Sequence, residues 1–295
     1  MRRFNGKGLS IVYFIFVMRL KKWFLSKLLY LPNQRICRHS KMSKWLYAIV
    51  AVIVIAAITF AVYYLSFSKP AEKVLRVGTS PDFPPFEFIN ESNGEIVGID
   101  IDLIKAIANK LGYKVQIVSM DFDGLIPALE QGQVDVVISG MTITEERAKR
   151  VDFSIPYWKA DQAIIVVKGS SYRPSSIEDL AGHAVGVQSG TTAEELLDEY
   201  VSKGLSINVK KYSSYTLAVQ DLLNGRVDAV VVDSPVAKAL AKKYNVEVTA
   251  TIQTGEEYGI AVKKGNKDLL DQINKALNEI LNSSEWDAIV SKYTG

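Results

Sequence analysis

Two stretches decide how this chain folds: Leu125–Ile138, LIPALEQGQVDVVI, and Ala218–Val231, AVQDLLNGRVDAVV, 93 residues further on. Each reads as a short amphipathic helix, a Gly-x-Val-Asp turn and an apolar run of strand type. Gly132, Val134 and Asp135 in the first match Gly225, Val227 and Asp228 in the second. Two copies of one helix–turn–strand unit predict two similar lobes. A stacked solenoid would need at least about three copies.

The flanking sequence continues the alternation. A strand is expected at Val74–Gly78, followed by a loop rich in proline (Pro81, Pro84, Pro85) and a turn at Asn93-Gly94. Asp100–Leu111 places Ile101, Ile104, Ile107 and Leu111 at helical spacing and stops at Gly112. Val115–Val118 reads as a strand, Gly124–Gln131 as a helix and Val134–Ser139 as a buried strand. The second unit, about Ile164 to Thr251, carries a strand at His183–Val187 and helices at Ala193–Val201 and Ser234–Tyr244. Ser234-Pro235 suits helix initiation. The tail returns to a strand at Gly259–Val262 and helices at Asp268–Leu281 and Glu285–Tyr293. The pattern predicts an α/β protein with parallel sheets and helices on their faces.

The net charge of +3 averages two unlike regions. Residues 1–69 hold 12 Lys and Arg and no acid; residues 70–295 hold 23 bases against 32 acids, a net of −9. An acidic folded part argues against nucleic acid as a partner. Trp45–Leu65 is 21 residues without a charge, close to the roughly 20 that span a bilayer. Lys41 and Lys44 precede it and Lys69 follows, so the positive-inside bias puts residues 1–44 in the cytoplasm and the folded part outside. The run is expected as a retained anchor, with a cleaved signal segment as the alternative. A start at Met42 would make residues 1–41 an extension. Residues 66–73 read as a linker. The only cysteine, Cys37, lies outside the folded part, which therefore has no disulfide framework or thiol nucleophile.

No catalytic constellation appears. His183 is the one histidine of the folded part, and a lone strand histidine reads as structural. There is no phosphate-binding glycine loop and no zinc motif, so neither a cofactor nor a metal is expected. Polar residues gather instead at the ends of apolar strands, where α/β sheets bind ligands. These ends are Thr79-Ser80 leading to Phe83, Ser139-Gly140-Met141-Thr142 leading to Arg147, Gln188-Ser189-Gly190-Thr191-Thr192, and Asp233-Ser234. The set suits a free α-amino acid. Arg147 offers a carboxylate fork, with Thr142 and the Gly190–Thr192 turn as further donors. Asp233 offers an anion for the ammonium, and Phe83 and Phe122 offer apolar walls. The alternatives are that Arg147 pairs with an acid on its own helix and that Asp233 only caps one.

Residues 74–295 resemble the polar amino-acid substrate-binding proteins of ABC importers, the group of the glutamine, histidine and lysine/arginine/ornithine binders. The resemblance is carried by VGTSPDFPPFEF (77–88), GIDID (98–102), FDGLIPAL (122–129), VDVVISGMTITEERAKRVDFS (134–154), Pro156-Tyr157, VGVQSGTT (185–192) and NGRVDAVVVD (224–233). It implies a clamshell: one lobe of 74–163 plus 252–295, the other of 164–251, joined by two hinge strands. It also implies that Arg147 binds the ligand carboxylate, helped by Thr142, Thr192 and the Gly140 backbone. Asp233 takes the ammonium, Phe83 and Phe122 sandwich the ligand, and Gln188 and Ser80 read its side chain. Basic-amino-acid binders usually carry an acid at the Ser80 position, so glutamine or glutamate is favoured here, with Asp82 or Asp161 as rescuers of a cation. The implied protein is a monomeric extracytoplasmic receptor, not an enzyme, delivering an L-amino acid to the permease subunits of an importer. Its rivals are a clamshell dehydratase of the cyclohexadienyl type and an anchored sensor.

Overall fold

The computed structural model describes residues 44–67 and 72–295. The expectations for residues 1–43, and for part of the linker, lie outside the described residues. The chain divides into two compact units, Met1–Lys69 and Pro70–Gly295. In the first, Lys44–Phe67 is one 24-residue helix, α1, with Ile49, Val50, Val52, Ile53 and Ile55 exposed. Side chains are described for Trp45 and residues 47–63 of it, and among the described residues no helix is long and apolar enough to cross a membrane.

The second unit runs β1 (Lys73–Thr79), β2 (Asp82–Phe83), β3 (Glu87–Ile89), β4 (Ile96–Val97), α2 (Ile99–Leu111), β5 (Tyr113–Ser119), α3 (Leu125–Glu130), β6 (Val136–Val137), α4 (Glu145–Arg150) and β7 (Val151–Phe153). It continues with β8 (Trp158–Val167), β9 (Ala184–Gln188), α5 (Thr192–Ser202), β10 (Asn208–Tyr212), α6 (Tyr215–Leu223), β11 (Ala229–Asp233) and α7 (Ser234–Lys243). It closes with β12 (Val246–Tyr258), β13 (Ala261–Lys263), α8 (Lys267–Leu281) and α9 (Ser284–Thr294).

Two five-stranded sheets result, ordered β5-β1-β6-β13-β7 and β10-β9-β11-β8-β12. In each, the strand of the repeated unit lies parallel to the strand that opens the lobe: Val136 against Val77, and Ala229 against Val185. The sheets are apolar on both faces because helices cover both. Val136 and Ile138 pack into one core while Val137 packs into another, and Val230 and Val232 alternate likewise with Ala229 and Val231. Each such fully buried Val, Leu or Ile contributes about 1.5–3 kcal/mol.

β8 and β12 connect the lobes. They pair antiparallel from Val167↔Val246 to Trp158↔Tyr258. β12 shifts register between Ile252 and Glu256. Asp161 Oδ1 fastens the extra loop there by accepting from the backbone N–H of Thr254 and Gly255 at 3.0 and 2.9 Å.

The motif residues explain the first lobe. Gly98 (φ 138°) is required because a Cβ would lie 2.0 Å from the Phe86 carbonyl oxygen. Asp100 is buried, accepting from the Gly140 N–H and the Tyr157 hydroxyl, both at 2.8 Å. Asp102 faces outward and ties α9 through Lys292 (2.7 Å) and Tyr293 (2.9 Å). Two expected elements come out shorter. The helix expected over 124–131 opens as a 3₁₀ turn at Phe122–Gly124, since Pro127 lacks an N–H to donate. The strand expected over 134–139 pairs only at Val136–Val137, because the chain then turns into the cleft at Ser139-Gly140.

Candidate functional site

The strand ends meet between the two sheets around a narrow cleft. Ser80, Asp82, Phe83, Glu87, Phe122, Gly140, Thr142, Arg147, Gln188, Thr191, Thr192 and Asp233 line it. Ten of the eleven residues expected from sequence are therefore brought together. Ser139 is the exception. It sits behind the wall, accepting from the Ser80 N–H at 2.9 Å and donating to Glu87 Oε1 at 2.8 Å, and so fixes two strand-end loops to each other.

Arg147 comes from α4, whose first turn is capped by the Thr144 hydroxyl accepting from the Arg147 N–H at 3.2 Å. The guanidinium is buried and stands over the Phe122 ring, 5.4 Å from its centre. Nη1 donates to the Thr142 carbonyl at 2.8 Å, and Nη2 crosses the cleft to the Gly190 carbonyl at 2.9 Å. The idea that it pairs with an acid on its own helix is thus corrected: its side chain leaves the helix for the cleft. Burial disfavours its charge, while nearby Glu195, Glu256 and Asp233 favour it.

Asp233 ends β11. It stands in the capping position of α7, yet its side chain makes no cap bond, which corrects the capping alternative. Its carboxylate accepts instead from Gln162 Nε2 at 2.8 Å and from the Tyr258 hydroxyl. Burial, with Glu256 nearby, pushes its pKa to about 7, against the pull of those two donors and Arg147. Thr191 caps α5, donating its own hydroxyl proton to the Gln188 carbonyl at 2.7 Å.

The floor of the cleft is aromatic. Phe83 packs on Tyr215 at 5.6 Å between ring centres and on Phe86 at 6.1 Å. Gly140 must be glycine: its φ is +48°, and a Cβ would stand 2.6 Å from the Phe83 ring.

Asp82 was expected only as a rescuer and proves central. It accepts from the Tyr215 N–H at 2.5 Å, from Gln188 Nε2 at 3.1 Å and from the Ser80 hydroxyl at 3.2 Å. Burial raises its pKa to about 6, and no cation of the described residues offsets this. Asp161, the other rescuer, is spent on the β12 loop and does not line the space. Beneath Phe83, burial and the neighbouring Asp100 hold the Glu87 carboxyl well above its ordinary range, and Asp100 itself is raised to about 6.

Gln162, Glu256 and Tyr258, all from the connecting strands, were missed. Each is polar within a strand and distant in sequence from its partners, so no local signal marks it. His183 lies outside the cleft, stacked on Tyr172 at 3.9 Å and 3.2 Å from Asp228. Among the described residues, no group of three or more His, Cys, Asp or Glu is placed to hold a metal ion.

With this geometry in hand, the similarities to known proteins become informative. The arginine-binding extracellular protein ArtP of Bacillus subtilis (strain 168) is 37% identical over 85% of this chain and 98% of its own. A probable histidine-binding protein of Neisseria gonorrhoeae is 34% identical over 85% and 96%. An ancestral arginine-binding protein, solved bound to arginine, is 52% identical with a TM-score of 0.73, covering 77% of this chain and all of that one. An ancestral arginine-binding protein solved bound to glutamine is also 52% identical, with a TM-score of 0.71, covering 77% of this chain and all of that one. Residues 75–295 match the bacterial extracellular solute-binding proteins of family 3, and the chain belongs to that family.

Proposed function

We propose that the chain is an extracytoplasmic receptor that closes its lobes on one cationic L-amino acid, arginine first, and presents it to an ABC importer. The observation that carries the ligand class is Asp82, a buried carboxylate that lines the same cleft as Arg147. In this reading Arg147 takes the ligand carboxylate and Asp233 its ammonium. A neutral side chain would leave Asp82 as an unpaired buried charge; a guanidinium would pair with it bidentately. The acid wanted by a basic ligand is thereby supplied from Asp82, not from the Ser80 position. The arginine named for two of the similar proteins supports the same reading.

Closure follows from the division of labour. Arg147 and Asp82 belong to one lobe and Asp233 and Gln188 to the other, so only the closed state offers all partners together, and the ligand selects it. We further propose α1 as the membrane anchor that keeps the receptor, acting as a single copy, near its importer. This rests on the 21 uncharged residues of Trp45–Leu65 in the sequence, with basic residues before them.

Glutamine is the second reading, supported by the neutral donors of Gln188 and Ser80 and by the glutamine-bound ancestral protein. Calorimetric titration with the twenty L-amino acids, after removal of carried-over ligand, separates the readings. Arginine binding lost in Asp82→Asn supports the first. Glutamine binding with arginine silent supports the second. Silence from a folded protein rejects both, and turnover of prephenate or arogenate would put the dehydratase reading in their place.

A further inference from the structure

We infer that Glu256 is a positioning residue, a carboxylate on the connecting strand β12 that latches the lobes by accepting one hydroxyl hydrogen bond from each. The affinity part of its test rests on the receptor reading above; the conformational part does not. Glu256 follows the register shift of β12, where residues 253–255 are exposed and Glu256 turns inward to 8% exposure. A bulge re-aims a side chain in this way, and Asp161 holds the bulge by two backbone hydrogen bonds.

One oxygen of Glu256, Oε2, accepts from Thr142 Oγ1 at 2.6 Å and from Thr192 Oγ1 at 2.8 Å. Thr142 belongs to the loop after β6 in the first lobe, and Thr192 opens α5 in the second. The other oxygen accepts from Gln162 Nε2 at 2.7 Å and from Thr254 Oγ1 at 3.2 Å. Gln162 Nε2 also reaches Asp233, so the latch is joined to the ammonium partner.

A hydroxyl has one proton to give. In this arrangement Thr142 and Thr192 both donate to Glu256, and a ligand carboxylate would be held by Arg147 and backbone N–H groups. Glu256 itself does not need to touch the ligand. It acts by favouring the closed arrangement, and apparent affinity scales with the fraction of molecules in the competent state.

The test uses the full chain in detergent with Cys37→Ser and spin labels at the exposed positions Lys105→Cys and Lys210→Cys, one in each lobe. Distance distributions are recorded without amino acid for the parent, Glu256→Gln and Glu256→Ala. The latch predicts that Glu256→Ala moves weight to the longer distance and that Glu256→Gln, which keeps one acceptor oxygen, moves it less. It also predicts arginine binding weaker by about tenfold in Glu256→Ala and about threefold in Glu256→Gln. Thr192→Val should weaken the parent but cost less in Glu256→Gln, because an amide oxygen accepts the same hydroxyl more weakly than a carboxylate. That cycle stands if the alanine variant does not fold. Unchanged distances, or fully additive effects of Thr192→Val and Glu256→Gln, would overturn the latch. A parent that binds no amino acid would reject the receptor reading instead, while the distances still decide the latch.

Discussion

The two lobes use the same unit for the same structural purpose and then part company one residue after it ends. In the first, Gly132 turns the chain at φ 71°, and Asp135 both donates its N–H to the Arg76 carbonyl and accepts the Arg76 N–H on its side chain. In the second, Gly225 turns at φ 69°, and Asp228 makes the same pair of bonds to Ala184. Beyond the shared strand the first lobe bends at Gly140 and runs on to Arg147, whereas the second enters α7 directly from Asp233. The repeated part builds the sheets. The charges that would face a ligand sit in the parts that differ, a cation from one lobe and an anion from the other. Two identical lobes would offer like charges to a zwitterion; these offer opposite ones.

The largest effect should come from removing either pole. Arg147→Ala and Asp233→Ala are each expected to weaken binding by about 2–5 kcal/mol, enough to lose micromolar titration heats, because each leaves a buried ligand charge unpaired. If one of them bound as tightly as the parent, the assignment of poles to lobes would break. Next comes Asp82→Asn, expected to cost roughly 2 kcal/mol against arginine but to leave glutamine within about threefold. Equal losses for the two ligands would mean that Asp82 organises the cleft without reading the side chain.

Acidity separates the poles from the scaffold. Asp82 and Asp233 have pKa values raised to about 6 and about 7, and binding a cation and an ammonium requires both ionised. Affinity should therefore fall as pH drops from 8 to 5, by about tenfold per pH unit below about 7 through Asp233 and by a further tenfold per unit below about 6 through Asp82. Folding without ligand carries the opposite sign. Carboxyls whose folded pKa values are raised contribute stability that is complete below about pH 4 and is lost as pH rises through 6 to 7. Thermal unfolding should accordingly occur at a higher temperature at pH 5 than at pH 8 without ligand, and the gap should narrow with arginine present.

The smallest effect belongs to the echo itself. Asp135→Ala and Asp228→Ala should each lower the unfolding temperature by about 2–4 °C through loss of a side-chain bond to the backbone, with binding unchanged. A change in affinity from either would show that the repeat does more than build sheets.

The repeat also marks how far sequence reading reaches. Gly-x-Val-Asp and the apolar strands carry local signals, and so does the loop chemistry at Gly140, Arg147 and Asp233. The two hinge strands were implied by the resemblance, but the extent of β12 escaped because the alternation of Val246, Val248, Ala250 and Ile252 stops at the extra loop of 253–255. Gln162 and Glu256 matter only through partners far away in sequence, brought within reach by that same loop. Asp82 lay next to the expected side-chain reader, Ser80. Its importance comes from burial against Gln188 and Tyr215 of the other lobe, which a single sequence does not display.

A crystal structure of the chain with arginine tests the arrangement of the two poles most directly. The carboxylate should lie on the Arg147 fork, the ammonium on Asp233 and the guanidinium within hydrogen-bond reach of Asp82, between closed lobes. A guanidinium turned away from Asp82, or an arginine seated outside the cleft, would contradict it.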